Sequence, residues 1–511
     1  MERATEREPD GGAPGDGPGN LDLWRQRSGF LLAPLAFAAA WNASAGLPEA
    51  AHRLAAILAA VVLLWLTEAI PMAMTAFLGV AAAVILGVAP AKEAFAPFAD
   101  PLVFVFVGTF MLARAIEHHR LDRRFALAIL SAPGIGGRPA RVLAAYAAGG
   151  AFLSMWISNT ATTAMMFPIG LSILASLEAL GERSAVTPAF ATALLLATSF
   201  SASVGGLGTP VGTPPNLIGL GFLRREAGFE LPFFSWMALG VPVVLVLLAW
   251  IIWDLGRAAG GGGGPKLDLQ PLLAAERERL GPWTLAQRNT IFAFGSTVFL
   301  WILPGAAALL LGRDAALAQR LGELLPESVV ALLGAGLLFV LPTNPARHEF
   351  TLSWDEAVRI DWWIVFLYGG GIALGTLAFQ TGLAEAMGRA LTARLGVTSG
   401  LGLLACSTAI ATFLSETTSN TASANMVVPV VIALARSAGA DPVLPALGAT
   451  MGASLGFVMP VSTPCNAIVY ASGRIPLRTM MRHGVVLDLV GVVVIVAVLW
   501  VLAPVLIARA G

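Results

Sequence analysis

The chain has 511 residues, 57% of them hydrophobic and 12% charged, and its 31 basic and 31 acidic side chains sum to zero. Soluble chains carry about 25% charged residues, so this one cannot coat a globule with polar surface, and its neutral balance argues against a nucleic-acid binder. Its apolar stretches are long enough to cross a bilayer of roughly 30 Å, which makes it a polytopic membrane protein.

Residues 1–28 are polar and rich in Gly and Pro, without an apolar core, and read as a disordered cytoplasmic tail and not as a cleaved signal peptide. The first half, residues 29–255, is expected to cross the membrane at about 29–46, 51–70, 73–90, 100–118, 187–222 and 233–254. Residues 140–178 are apolar too, but the polar cluster Ser158-Asn159-Thr160 interrupts them midway. That pattern fits a re-entrant hairpin, which is tolerated only where protein or a water-filled cavity satisfies its backbone. Residues 256–286 form a cytoplasmic linker, whose run Gly260–Gly264 before Pro265 reads as a flexible tether. The second half, residues 287–511, is expected to cross at about 287–311, 327–342, 361–380, 441–472 and 484–508. Its interrupted stretch, 400–437, surrounds Ser419-Asn420-Thr421. The expected fold is all-α, with about eleven transmembrane helices and two re-entrant hairpins. With the N-terminus cytoplasmic and the C-terminus extracytoplasmic, about 21 basic residues fall inside, as the positive-inside rule requires.

The two halves repeat. Ser158-Asn159-Thr160-Ala161 recurs as Ser419-Asn420-Thr421-Ala422, an offset of 261 that also relates Asp100 to Asp361, Gly108 to Gly369, Ser154 to Ser415 and Pro168 to Pro429. A second motif, Gly212-Thr213-Pro214-Pro215-Asn216, is answered by Ser462-Thr463-Pro464-Cys465-Asn466 at an offset of 250. Five expected crossings separate Gly108 from Gly369, an odd number, so the repeats are inverted. Inverted repeats are characteristic of secondary transporters that alternate access around a midplane site.

At a hairpin tip the first amides of the ascending helix are unpaired and carry the positive end of its dipole. The Thr-Pro pairs act differently: proline removes an N–H and breaks the preceding turn, freeing carbonyls at mid-membrane. Such a site has hydroxyls, carboxamides and backbone ends but no adjacent Lys or Arg, so a desolvated dianion needs co-bound cations, and Na⁺ suits neutral oxygens. Ser154, Ser158, Asn159 and the Gly212 carbonyl form one candidate Na⁺ cage, and Ser415, Thr418, Asn420 and Ser462 its symmetry mate. A lone Ser-Asn-Thr is more often interhelical hydrogen-bond glue worth about 0.6–2 kcal/mol, but four motifs in duplicated order outweigh that reading.

The remaining polar groups read as structural. Glu416 adjoins the second tip, where a carboxyl can hydrogen-bond tip amides or carry a proton, but Met155 takes its place in the first, which favours the capping role. Glu68 reads as an interfacial anchor, and Trp362, Trp363 and Tyr368 as belt or packing aromatics. Cys406 and Cys465 lie in apolar segments and suggest neither disulfide nor metal cluster. An intramembrane hydrolase would need a nucleophile activated by a nearby base, and no membrane His or Lys offers one. A channel would need a continuous pore, whereas hairpins from opposite faces suggest occlusion.

These motifs resemble those of the divalent anion/sodium symporter family, and the likeness runs from about residue 55 to near the end of the chain. Trp65-Leu66-Thr67-Glu68-Ala69-Ile70-Pro71 looks like an early family motif, both Ser-Asn-Thr tips match, and the run 453–469 closely resembles the family signature. The resemblance implies a non-enzymatic carrier: a homodimer of eleven-crossing protomers, each with a scaffold and an elevator-like transport domain. It implies that Ser158, Asn159, Thr160, Ser419, Asn420 and Thr421 hold substrate carboxylates, that Thr213, Thr463 and Pro464 line the site, and that the two cages hold Na⁺. The activity so implied is Na⁺-coupled symport of a C4-type dicarboxylate such as succinate, malate or fumarate. The same fold also serves Na⁺-independent exchangers and sulfate or citrate carriers. The sequence departs from the family pattern at Cys465, where proline is more usual, and at Ser462, where a smaller residue is common.

Overall fold

A computed structural model describes residues 20–43, 46–132, 138–179, 187–260, 270–312, 315–396 and 399–508. Among them, eight helices are long and apolar enough to span a membrane, or nine if Ala316–Leu324 and Glu327–Val340, bent by 59°, form one span. Every stretch expected to cross contains helix, with 187–222 interrupted at 209–213 and 441–472 at 453–463. The count differs from eleven because some expected crossings are short or broken, such as Met72–Ile85 with 14 residues and Val443–Gly452. One of the eight, Gly400–Thr417, is the first arm of the second hairpin.

The first helix, Asn20–Asn42, takes in residues 20–28, which the sequence assigned to the tail. Their polarity is used locally: Arg25 Nη2 donates to Glu68 Oε2 at 2.8 Å, and Ser28 Oγ donates to the Arg25 carbonyl at 2.6 Å. The rest of the expected tail and residues 261–264 of the glycine run lie outside the described residues. The fold is all-helical as expected, apart from a short two-stranded antiparallel ribbon, Pro342–Asn344 with Glu349–Phe350. The ribbon closes the chain reversal after Glu327–Val340, where Pro342 and Pro345 cannot continue a helix.

The repeat holds element by element. Pro101–His118, Leu121–Leu130, the hairpin Pro139–Ser154/Asn159–Ala179, the broken span Pro188–Gly205/Pro214–Glu226 and Phe233–Ala258 form the first copy. Trp362–Gln380, Leu383–Leu395, the hairpin Gly400–Thr417/Asn420–Ser437, the broken span Val443–Gly452/Pro464–Tyr470 and Leu477–Ala508 form the second. The short helices Leu121–Leu130 and Leu383–Leu395 were not expected: each mixes charged and apolar residues over too few positions to register as a crossing.

One continuous core joins the copies, with Phe200 and Phe457 meeting edge to face at 5.3 Å between ring centres. A separate core packs Glu49–Thr67 and Met72–Ile85 against Trp362–Gln380. Tyr368 is fully buried, and its hydroxyl donates to Asp100 Oδ1 at 3.2 Å, so it is an interior residue and not part of an interfacial belt.

Outside the spans, Asp122 opens the helix Leu121–Leu130 and is only 7% exposed. Burial pushes its carboxyl from 3.8 up to about 6, against the opposing pull of the Arg123 amide and guanidinium. A folded-state value above the unfolded one favours the protonated form, so stability present at low pH is lost as pH rises from about 4 through 6. Asp122→Asn is therefore expected to stabilise the detergent-solubilised protein by roughly 1–2 kcal/mol at pH 7.5 and by nothing measurable near pH 4. Thermal unfolding of both proteins at the two pH values checks this, and an equal effect at both would contradict it.

Candidate functional site

Each hairpin turns at a capped helix start. In the first, helix ends at Ser154 and resumes at Asn159; Ser158 Oγ accepts from the Ala161 amide at 3.2 Å. In the second, helix ends at Thr417 and resumes at Asn420, and Ser419 Oγ accepts from the Ala422 amide at 3.2 Å. Serine is favoured here because its oxygen satisfies an orphan helix amide. Behind each cap a second serine reaches the tip asparagine: Ser154 Oγ donates to Asn159 Oδ1 at 2.7 Å, and Ser415 Oγ to Asn420 Oδ1 at 2.7 Å. A hydroxyl that donates its proton keeps its lone pairs, so both serines remain competent cation ligands.

The broken spans supply the opposing wall. Thr213 and Thr463 sit in extended conformation, φ −147° and −143°, each followed by a proline at the first helical position. Proline's missing N–H is harmless there, which explains why both helices restart at this point. The breaks approach the tips closely. A methyl group at Gly206 would press on Asn159 Oδ1 and stand 3.1 Å from Thr213 Cβ, and one at Gly212 would lie 3.0 Å from the Ser154 carbonyl oxygen. In the second copy, a methyl at Gly456 would stand 3.4 Å from Asn420 Oδ1, 3.4 Å from Thr463 Cγ2 and 3.5 Å from Ser415 Oγ. Ser154, Asn159, Gly206, Gly212 and Thr213 thus converge, as do Ser415, Asn420, Gly456 and Thr463.

The copies interlock at the breaks. Pro464–Tyr470 packs on Asn159–Ala179 and Pro188–Gly205, and Pro214–Glu226 packs on Asn420–Ser437 and Val443–Gly452. Each restarted helix therefore lies against the other copy's hairpin, and the Cys465 thiol sits beside Thr160, Thr163 and Ser203. Thr213, Thr421 and Thr463 are buried, whereas Thr160 and Pro464 are exposed.

Two residues of the expected second cage are engaged elsewhere. Thr418 Oγ1 donates to the Leu414 carbonyl at 2.8 Å, and Ser462 Oγ donates to Glu416 Oε2 at 2.5 Å. Glu416 Oε1 also accepts from the Val458 amide at 3.0 Å, so its carboxyl ties the hairpin to the break. Asp488, 7% exposed on Leu477–Ala508, faces that carboxyl. Sequence reading missed Gly206 and Gly456. The signal available was the run of small residues before each Thr-Pro, which permits close backbone approach.

Comparison with known proteins agrees with this architecture. Residues 23–508 match the family described as the sodium:sulfate symporter transmembrane region. The sodium-dependent dicarboxylate transporter SdcS of Staphylococcus saprophyticus is 33% identical over 455 residues, covering 86% of this chain and 84% of that one. Its namesake in Staphylococcus aureus USA300 is 31% identical over 458 residues, with the same coverage of 86% and 84%. Among solved structures, the YdaH transporter of Alcanivorax borkumensis shares the fold with a TM-score of 0.55 at 15% identity, over 82% of this chain and 88% of that one. With nearly its whole length matched, tips and broken spans included, the chain belongs to the sodium:sulfate symporter family of membrane transporters.

Proposed function

We propose that the protein carries a C4-type dicarboxylate such as succinate, malate or fumarate together with Na⁺. The observation that carries this reading is the twice-built contact of a serine-bound tip asparagine with a broken span: Ser154–Asn159 against Gly206, and Ser415–Asn420 against Gly456. Ser158, Asn159, Thr160, Ser419, Asn420 and Thr421 hold the two carboxylates through hydroxyls, carboxamides and the positive ends of the two ascending helices. Thr213, Thr463 and Pro464 line the space between them. One Na⁺ is held by Ser154, Ser158, Asn159 and the Gly212 carbonyl. The other is held by Ser415 and Asn420 with Thr418 and Ser462, whose hydroxyls keep lone pairs free while donating.

Coupling follows from charge. Placing a dianion among neutral donors is costly, and two cations beside it remove most of that cost. Neither partner binds well alone, so both travel together. The interlocked hairpins and restarted helices suit a transport domain that moves as one body against a scaffold, in a homodimer with its N-terminus in the cytoplasm. The test is uptake of labelled succinate into proteoliposomes under an inward Na⁺ gradient. Saturable uptake that collapses when choline replaces Na⁺ is expected, and undiminished uptake in choline would overturn the coupling.

A further inference from the structure

A pair of asparagines outside both expected cages repeats one arrangement. Asn216 lies in the first turn of Pro214–Glu226, fully buried, and its Nδ2 donates to the Gly206 carbonyl at 2.9 Å and the Thr209 carbonyl at 2.8 Å. Asn466 lies in the first turn of Pro464–Tyr470, also fully buried, and its Nδ2 donates to the Gly456 and Met459 carbonyls, each at 3.0 Å. In both copies one carboxamide ties together two loop carbonyls three positions apart. In both, the first of the two belongs to the glycine that faces the tip asparagine. In both, the remaining Oδ1 is buried without a hydrogen-bond partner.

That last fact decides against simple packing. A buried carboxamide oxygen without a donor is unfavourable, and an apolar residue of similar size would avoid it. Both copies keep the asparagine regardless, although the rest of their loops has diverged, so the donor side of the carboxamide is what the position requires. An aspartate would have no N–H to offer, and a glutamine would place its N–H groups a methylene too far along. The other anchors on the loops differ between copies: Trp236 Nε1 holds the Leu207 carbonyl in the first, and Glu416 holds the Val458 amide in the second. Among the described residues' side-chain hydrogen bonds to the two loops, the asparagine clamp is the one common to both.

We propose that Asn216 and Asn466 are positioning residues for the two cation sites, each fixing the curvature of its break so that Gly206 or Gly456 stays against the tip asparagine. This rests on the Na⁺ reading above. With the clamp gone, the loop samples other shapes and the cation must order it on binding, which raises the Na⁺ concentration required. Neither asparagine needs to touch Na⁺ or substrate for this.

The experiment is Na⁺-dependent thermal stabilisation of the purified protein without substrate, with choline as the control salt. Asn216→Ala and Asn466→Ala are each expected to raise the half-saturating Na⁺ concentration about tenfold or more. Asn289→Ala, which removes comparable bonds to the Pro342 carbonyl and Thr351 hydroxyl far from the breaks, should leave it within about twofold. A merely structural role would lower the melting temperature of the clamp variants while leaving their Na⁺ dependence unmoved, and that result overturns the proposal. Should either variant fail to fold, Asn216→Leu and Asn466→Leu, which keep the volume and remove the donor, take their place: the same rise in half-saturating Na⁺ is expected, and an unmoved Na⁺ dependence overturns the proposal equally. If wild type shows no stabilisation by Na⁺ at all, the transport reading itself fails and the clamp with it. Stabilised wild type with unmoved variants rejects the clamp alone.

Discussion

Replacing Asn159 with alanine is expected to abolish uptake of the proposed substrate succinate, as is replacing Asn420, with the amount of protein in the membrane staying near wild type. Each carboxamide is the hub of its cluster: it accepts from Ser154 or Ser415 at 2.7 Å and faces Gly206 or Gly456. In the proposed site, alanine removes a ligand of the cation cage and a donor for the substrate carboxylate together. It also takes from the Ser154 hydroxyl its acceptor, whereas the Ser415 hydroxyl keeps the Ala453 carbonyl at 2.8 Å. Losing one charge-assisted bond costs about 1.5–3 kcal/mol, and losing two functions of one residue exceeds the roughly 2.7 kcal/mol that reduces flux a hundredfold. Both asparagines are only half-buried and neither bears on the main core, so expression should hold. Uptake normalised to membrane content is the measurement. Substantial transport by both variants would remove the tips from the mechanism.

The second large effect is an asymmetric one. Gly206→Ala places a methyl group against Asn159 Oδ1 with Thr213 Cβ only 3.1 Å away, so the loop or the carboxamide must shift. The side chain is the softer of the two, and its easiest escape breaks the bond to Ser154. Overpacking of this kind costs about 1–3 kcal/mol, here spent directly on the geometry of the site. Gly456→Ala meets nothing closer than 3.4 Å, which is ordinary contact. Gly206→Ala should therefore lose nearly all uptake, with a raised Na⁺ requirement, while Gly456→Ala keeps most of it. Equal sensitivity of the two glycines in a proteoliposome assay would mean that the close approach at Gly206 has no functional weight.

Much of this architecture is legible in the residues because membrane backbone leaves few options. Ser158-Asn159-Thr160 halfway along an apolar stretch must be satisfied somewhere, and a capped tip is the cheapest solution. Pro214 and Pro464 mark their breaks because proline forbids the preceding turn from continuing. What stayed hidden depends on which side chains meet. Tyr368 looks like a belt aromatic until Asp100, 268 positions away, is found at its hydroxyl. Ser462 is expected as a cage ligand, and nothing in the sequence signals that its hydroxyl also donates to Glu416, or that this carboxyl holds the Val458 amide. The clamps of Asn216 and Asn466 are written in the sequence only as the last letter of each Thr-Pro motif. Their meaning appears once the loop carbonyls are placed. The helices Leu121–Leu130 and Leu383–Leu395 escaped notice because ten to thirteen mixed residues give little periodic signal.

The crosswise packing of the restarted helices bears on how the chain is made. Pro214–Glu226 rests on Asn420–Ser437 and Val443–Gly452, so when the first copy leaves the ribosome its partner surface does not yet exist. At about 5–20 residues per second, that surface arrives some tens of seconds later. Until then a helix with Arg224 and Arg225 at its end waits in the lipid or at the translocon without its final neighbours. Closure of the two copies is therefore a late event in synthesis, and a nascent chain stalled midway is a natural target for membrane quality control.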